Sequence, residues 1–133
     1  MTQNILRSNE IPIGLGPYSN AILVNDLLYV SGTLGFNRTN KEVVGNNAGK
    51  PFLKPQVDQI FNNINGISKV LQVDSVDLLK MNTYLSSWDQ FTQLEEVLAK
   101  NCNNLPAISI SGQGLLNNGF LIEIDCIGTT KKN

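Results

Sequence analysis

The chain has 133 residues, 41% of them hydrophobic, and a formal net charge of −1. That suits one domain with a buried core and leaves no basic stripe of the kind on which nucleic-acid affinity depends. Histidine is absent, which removes His-based triads and the common His-containing zinc sites.

In chain order, a short strand is expected around Ile5-Leu6-Arg7, followed by a loop punctuated by Pro12, Gly14, Gly16 and Pro17. Tyr18 to Val24 reads as a strand, Asn25-Asp26 as a tight turn, and Leu27-Leu28-Tyr29-Val30-Ser31 as the return strand. The hairpin ends at Ser31-Gly32, where glycine lets the backbone bend or approach another group closely. Residues 35–55 carry Gly, Asn and Lys with few large apolar side chains and read as a surface loop. From Pro55 the period becomes helical: Val57, Ile60, Phe61, Ile64, Ile67, Val70 and Leu71 recur at helical spacing. Proline is well placed in a first turn, where its missing N–H is no loss. Leu78 to Leu85 returns to strand, with Leu79, Met81, Thr83 and Leu85 on one face and Lys80, Asn82 and Tyr84 on the other. Ser87-Trp88-Asp89-Gln90 resembles a capping box opening a second helix, whose inner face would be Trp88, Phe91, Leu94 and Leu98.

Two further strands are expected at Leu105–Ser111 and Phe120–Ile127, read as an antiparallel pair joined by the Gly-rich 112–119 stretch. Residues after Gly128 read as a frayed tail. Glu123 and Asp125 stand two apart in an otherwise apolar strand, so both project from one face. A carboxylate in such a run meets solvent at an opening or has a partner. That face is the first place to look for a site.

The pattern gives an α+β domain spanning residues 1–133, with the order βββαβαββ and a single mixed sheet of about six strands. Two helices, each ~10 Å wide, cover one face of such a sheet and leave the other bare. Apolar residues on both faces of the last strands then predict an oligomer. Cys102 and Cys126 lack CxxC spacing and read as reduced, buried thiols of a cytoplasmic protein. No stretch reaches the length of a membrane span, and the N-terminus lacks a secretory pattern.

Gly16-Pro17-Tyr18-Ser19, Val30-Ser31-Gly32, Pro106-Ala107 and Ile122-Glu123-Ile124, in this order and spacing, resemble the Rid family of reactive intermediate deaminases. This is also called the YjgF or L-PSP translation-inhibitor family. The resemblance implies a chorismate-mutase-like fold and a homotrimer whose sheets form a central barrel, with small-molecule clefts between subunits. It implies hydrolysis of 2-imino and enamino acids to 2-oxo acids and ammonia, with no cofactor and no metal. By resemblance Glu123 positions the attacking water, Tyr18 lines the cleft, and Ser31-Gly32 supply its floor and a backbone contact. Active members carry an arginine directly after Pro-Ala to hold the substrate carboxylate; here Ala107 is followed by Ile108. Two positions further on, a cysteine found in many members is Ile110, and a second-helix asparagine aligns with Glu95.

An isoleucine offers neither the charge nor the donors of a guanidinium fork. Losing that partner in a partly buried cleft costs on the order of 2–5 kcal/mol. Three readings are therefore open: an imine deaminase that draws on another cation, such as Arg38 or Lys54; a trimer that binds an uncharged or cationic metabolite without the chemistry; and the ribonuclease role of the older family name, which the low basic content disfavours. Structural roles are the alternatives at each position: a cross-interface ion pair for Glu123, a core aromatic for Tyr18, a hairpin end for Ser31-Gly32 and a packed strand residue for Ile108.

Overall fold

A computed structural model describes residues 3–6, 18–37, 42–47, 50–112 and 119–131. Eight strands and two helices follow one another as β1 (Gln3–Leu6), β2 (Ala21–Val24), β3 (Leu27–Leu34), β4 (Asn46–Asn47), β5 (Lys50–Pro51), α1 (Leu53–Leu71), β6 (Ser75–Leu85), α2 (Phe91–Asn101), β7 (Ala107–Ser111) and β8 (Ile122–Lys131). Six strands form one sheet in the order β1-β2-β3-β8-β6-β7. All neighbours are antiparallel except β6 and β7, which run parallel. A parallel pair needs a crossover, and α2 provides it.

Alternation in β8 explains its central place. Ile122, Ile124, Cys126 and Gly128 are buried on the helix side, while Glu123, Asp125 and Ile127 take the other face. On the helix side they meet Met81 and Leu85 of β6, Leu28 and Val30 of β3, and the apolar stripes of both helices. In α1 that stripe is Val57, Ile60, Phe61, Ile64 and Ile67, buried at the spacing that the sequence predicts; buried Leu53 joins it ahead of the expected start at Pro55, and Val70 and Leu71 are half-buried. In α2 it is Leu94, Val97 and Leu98. The α+β sandwich of one mixed six-stranded sheet under two helices agrees with expectation.

Several local expectations are corrected. The last two strands are not a hairpin pair: β8 inserts between β3 and β6, and β7 lies at the sheet edge beyond β6. Only β8 has apolar residues enough on its inner face to sit in the middle, whereas β7 has one buried-side pair, Ile108 and Ile110. The tail is not frayed at Gly128, because Thr129, Thr130 and Lys131 pair with β6, and the Thr130 N–H donates to the Asp26 carbonyl at 3.0 Å. The 35–55 loop contains the β4–β5 hairpin and a Phe36–Val43 bridge. Trp88 is not core. It is 55% exposed, with its ring 5.3 Å from that of Phe91, because Ser87 caps a single 3-10 turn (Trp88–Gln90) that turns the indole outward before α2 starts. Leu79 is 48% exposed, since β6 bulges between Leu78 and Lys80. The strand expected to begin at Tyr18 begins at Ala21.

Candidate functional site

The site begins with an irregularity. In β3, Val30 pairs with Cys126 and Thr33 with Ile124, so Ser31 and Gly32 together oppose Asp125. Such a bulge bends the strand and re-aims its side chains. The Ser31 hydroxyl donates to the Ser19 carbonyl at 2.6 Å, and its N–H donates to the Asn20 carbonyl at 3.0 Å. Both bonds tie the segment that carries Tyr18 to the bulge. Thr33 closes the turn by donating its hydroxyl to the Ser31 carbonyl at 2.9 Å.

Glycine at position 32 is what makes room for Glu123. A Cβ there would stand 2.2 Å from Glu123 Oε1. The carboxylate therefore lies directly over the bulged backbone, on the face away from the helices. Around it opens a pocket of about 510 Å³, lined by Tyr18, Tyr29, Val30, Ser31, Gly32, Glu123, Asp125, Cys126 and Ile127.

The two carboxylates differ in their surroundings. Asp125 accepts hydrogen bonds from Asn82 Nδ2 at 2.9 Å and from the Tyr84 hydroxyl at 3.0 Å. No described residue donates to Glu123. Partial burial, and then the charge of Asp125, push the Glu123 carboxyl above its ordinary range. The hydrogen bond to Asp125 raises the Tyr84 phenol, so it remains a donor. Cys126 turns to the core, and burial pushes its thiol up to about 12, which leaves it inert as a nucleophile. The arrangement thus offers one solvent-facing base beside one hydrogen-bonded carboxylate, with aromatic walls. Among the described residues no group of three His, Cys, Asp or Glu side chains converges as a metal site.

Of the residues singled out from sequence, Tyr18, Ser31, Gly32 and Glu123 meet in this pocket. Ala107, Ile108 and Glu95 do not line it. Ala107 is exposed on the edge strand, and Glu95 is exposed on α2. Ile108 pairs with Met81, whose side chain is buried, and packs against the helix-side core with Ile110. Of the proposed substitute cations, Arg38 lies outside the described residues. Lys54 is engaged on the helix side with Asp58 at 3.0 Å. Sequence reasoning missed Tyr29, Tyr84 and Lys80. Lys80 lies on the bare face, next to Ala107 across the parallel pair, and donates to Ser109 Oγ at 2.8 Å. Alternation placed Lys80, Asn82 and Tyr84 on one face; their neighbours became visible only with the β6–β8 register.

Comparison with known proteins adds the following. The family model described as Endoribonuclease L-PSP matches residues 9–130. A RutC family protein of Aquifex aeolicus is 32% identical over 69% of this chain and 69% of its own length. A protein of Dermatophagoides farinae named 2-iminobutanoate/2-iminopropanoate deaminase is 27% identical over 94% of each chain. The crystal structure of RidA from the Antarctic bacterium Psychrobacter sp. PAMC 21119 superposes with a TM-score of 0.79 at 28% identity, covering 95% of this chain and 98% of that one.

Proposed function

This chain belongs to the endoribonuclease L-PSP family, the Rid proteins, and on that premise we propose that its bare-face pocket hydrolyses small imines. The observation that carries the reading is Glu123: a carboxylate without a donor among the described residues, raised above its ordinary range, over a glycine floor. An imine carbon is already electrophilic, so holding it beside an oriented water supplies much of the acceleration. Glu123 accepts the water proton as the C–O bond forms. That proton passes to nitrogen to give a carbinolamine; Glu123 then carries the carbinolamine's hydroxyl proton to nitrogen as the C–N bond breaks, and ammonia leaves a carbonyl product. Raising the carboxyl brings its proton affinity nearer to neutrality, which favours both transfers.

The site is shared between copies in this reading. Tyr18, Ser31, Gly32 and Glu123 sit on one part of the chain, while Ala107, Ile108 and Glu95 sit on the β7 edge and α2. A cleft that uses both sets needs a second copy, in keeping with a homotrimer of single-domain chains with clefts at the interfaces. Free Cys102 and Cys126 suit a cytoplasmic setting.

The test generates imines in place with a flavin amino-acid oxidase and traps them with semicarbazide. Turnover appears as suppressed trapping, and Glu123→Gln removes it by at least tenfold. If no imine is protected from trapping, the second reading takes its place: a metabolite-binding trimer without chemistry, for which the lack of an arginine after Pro106-Ala107 is the supporting observation.

A further inference from the structure

The charge of the pocket bears on which imines it takes. Among the described residues its lining holds two carboxylates, Glu123 and Asp125, and two tyrosines, Tyr18 and Tyr29, but no basic side chain. Asn82 and Tyr84 are neutral donors to Asp125; they supply hydrogen bonds without cancelling its charge. The β7 edge of a second copy would bring Ala107, which is uncharged, with Lys80 beside it; Glu95 is another carboxylate, and Ile108 is turned to its own core. Lys80, which shares the bare face, is held by Ser109 at 2.8 Å and does not line the pocket.

Resting on the imine-site reading above, we propose that the pocket selects cationic ligands without a carboxylate: small protonated iminium ions and the amines that resemble them. A planar iminium nitrogen can donate to Glu123, and the faces of Tyr18 and Tyr29 favour positive charge. A ligand carboxylate would face two like charges, with no guanidinium among the described residues to offset them. Lost water, and after it the charge of Asp125, also raise the Glu123 carboxyl, so a further negative charge is disfavoured at this point. The reaction stays balanced for such a substrate: iminium and water give a carbonyl compound and ammonium, with no change in oxidation state. The source reactions would be those that oxidise simple amines, not those that dehydrate amino acids.

The experiment compares three planar isosteres by calorimetry on the full-length protein: butanamidinium, butanamide and butanoate. We expect butanamidinium to bind at least tenfold more tightly than butanamide, and butanoate to show no measurable heat. Glu123→Gln and Asp125→Asn should each reduce the preference for the cation, and the double variant should abolish it. Butanoate binding as tightly as butanamidinium would overturn the proposal while leaving a working pocket, with Lys80→Ala then showing whether Lys80 is its anchor. A cation preference that survives the double variant would also overturn it. If none of the three binds, while imine turnover is measurable, the cation assignment fails alone; if turnover is absent as well, both readings fail.

Discussion

Gly32 and Glu123 compete for one volume, and the glycine yields it. Gly32→Ala drives a methyl group into the position of Glu123 Oε1. The clashing atoms are the far end of a flexible side chain, so Glu123 can swing away and the fold loses only about 1–2 kcal/mol. The displaced carboxylate no longer faces the same point, and turnover or ligand affinity should fall by roughly 10²-fold. Urea denaturation and the trapping assay on the same protein would separate the two effects. Glu123 itself carries a pH signature. Its folded-state pKa is raised, so its contribution to stability is full below the unfolded value of about 4.3 and is lost as pH rises through the folded value. Glu123→Gln should therefore have a higher urea midpoint than the parent at pH 7, with the gap closing below about pH 4. The sequence alone points to Glu123 and Asp125 on a shared face, because period-two alternation needs no knowledge of neighbours. It does not reveal that Ser31-Gly32 form a bulge opposite Asp125, since a bulge exists only relative to the strand across from it.

At the scale of elements, α1 does more than cover the sheet. Gln56, fully buried, donates from Nε2 to the Gly119 carbonyl at 2.9 Å and accepts the Leu121 N–H on Oε1 at 2.8 Å. It thereby clamps the entry to β8, two residues before Glu123. Asn63, two turns further along the same helix face, donates to the carbonyls of Leu34 and Phe36, both at 3.3 Å, where β3 leaves the sheet. Gln56→Leu would keep the volume but leave the half-buried Leu121 N–H and Gly119 C=O without these partners. The expected cost is about 2–4 kcal/mol, read as a lower urea midpoint with unchanged slope. In sequence, Gln56 looks like a solvated position beside the apolar stripe, because its partners lie 63 and 65 residues away. The same non-locality explains the misread pairing of β7 and β8. Two apolar runs joined by glycines imply a hairpin locally, yet β8 alone has the alternating buried set that suits the space between β3 and β6. The helices, whose periodicity is internal, were legible in their central turns, while their starts were not: α1 begins at Leu53 and α2 only at Phe91, past Trp88.

For the whole molecule, the sheet face away from the helices presents Leu27, Tyr29 and Tyr84, which are 39%, 44% and 40% exposed, around the two carboxylates. A face of that size and chemistry suits contact with another copy. The division of the candidate residues argues for the kind of contact. If the pocket of one chain meets the β7 edge of the next, the two surfaces differ, and the association is head-to-tail; such contacts close into rings, whereas a twofold dimer would pair identical patches. Light scattering should then give three times the 14.6 kDa chain mass. A sharper consequence concerns mixed rings. Glu123→Gln disables the pocket half of a cleft, and Ala107→Trp, at an exposed edge position, should block the other half. Each variant alone is inactive. Mixed in equal amounts and allowed to exchange subunits, they place an intact pocket against an intact edge at about one cleft in four. About a quarter of parental turnover should therefore return. A site contained in a single chain cannot recover this way, so mixtures that stay as inactive as their components would rule out the shared cleft.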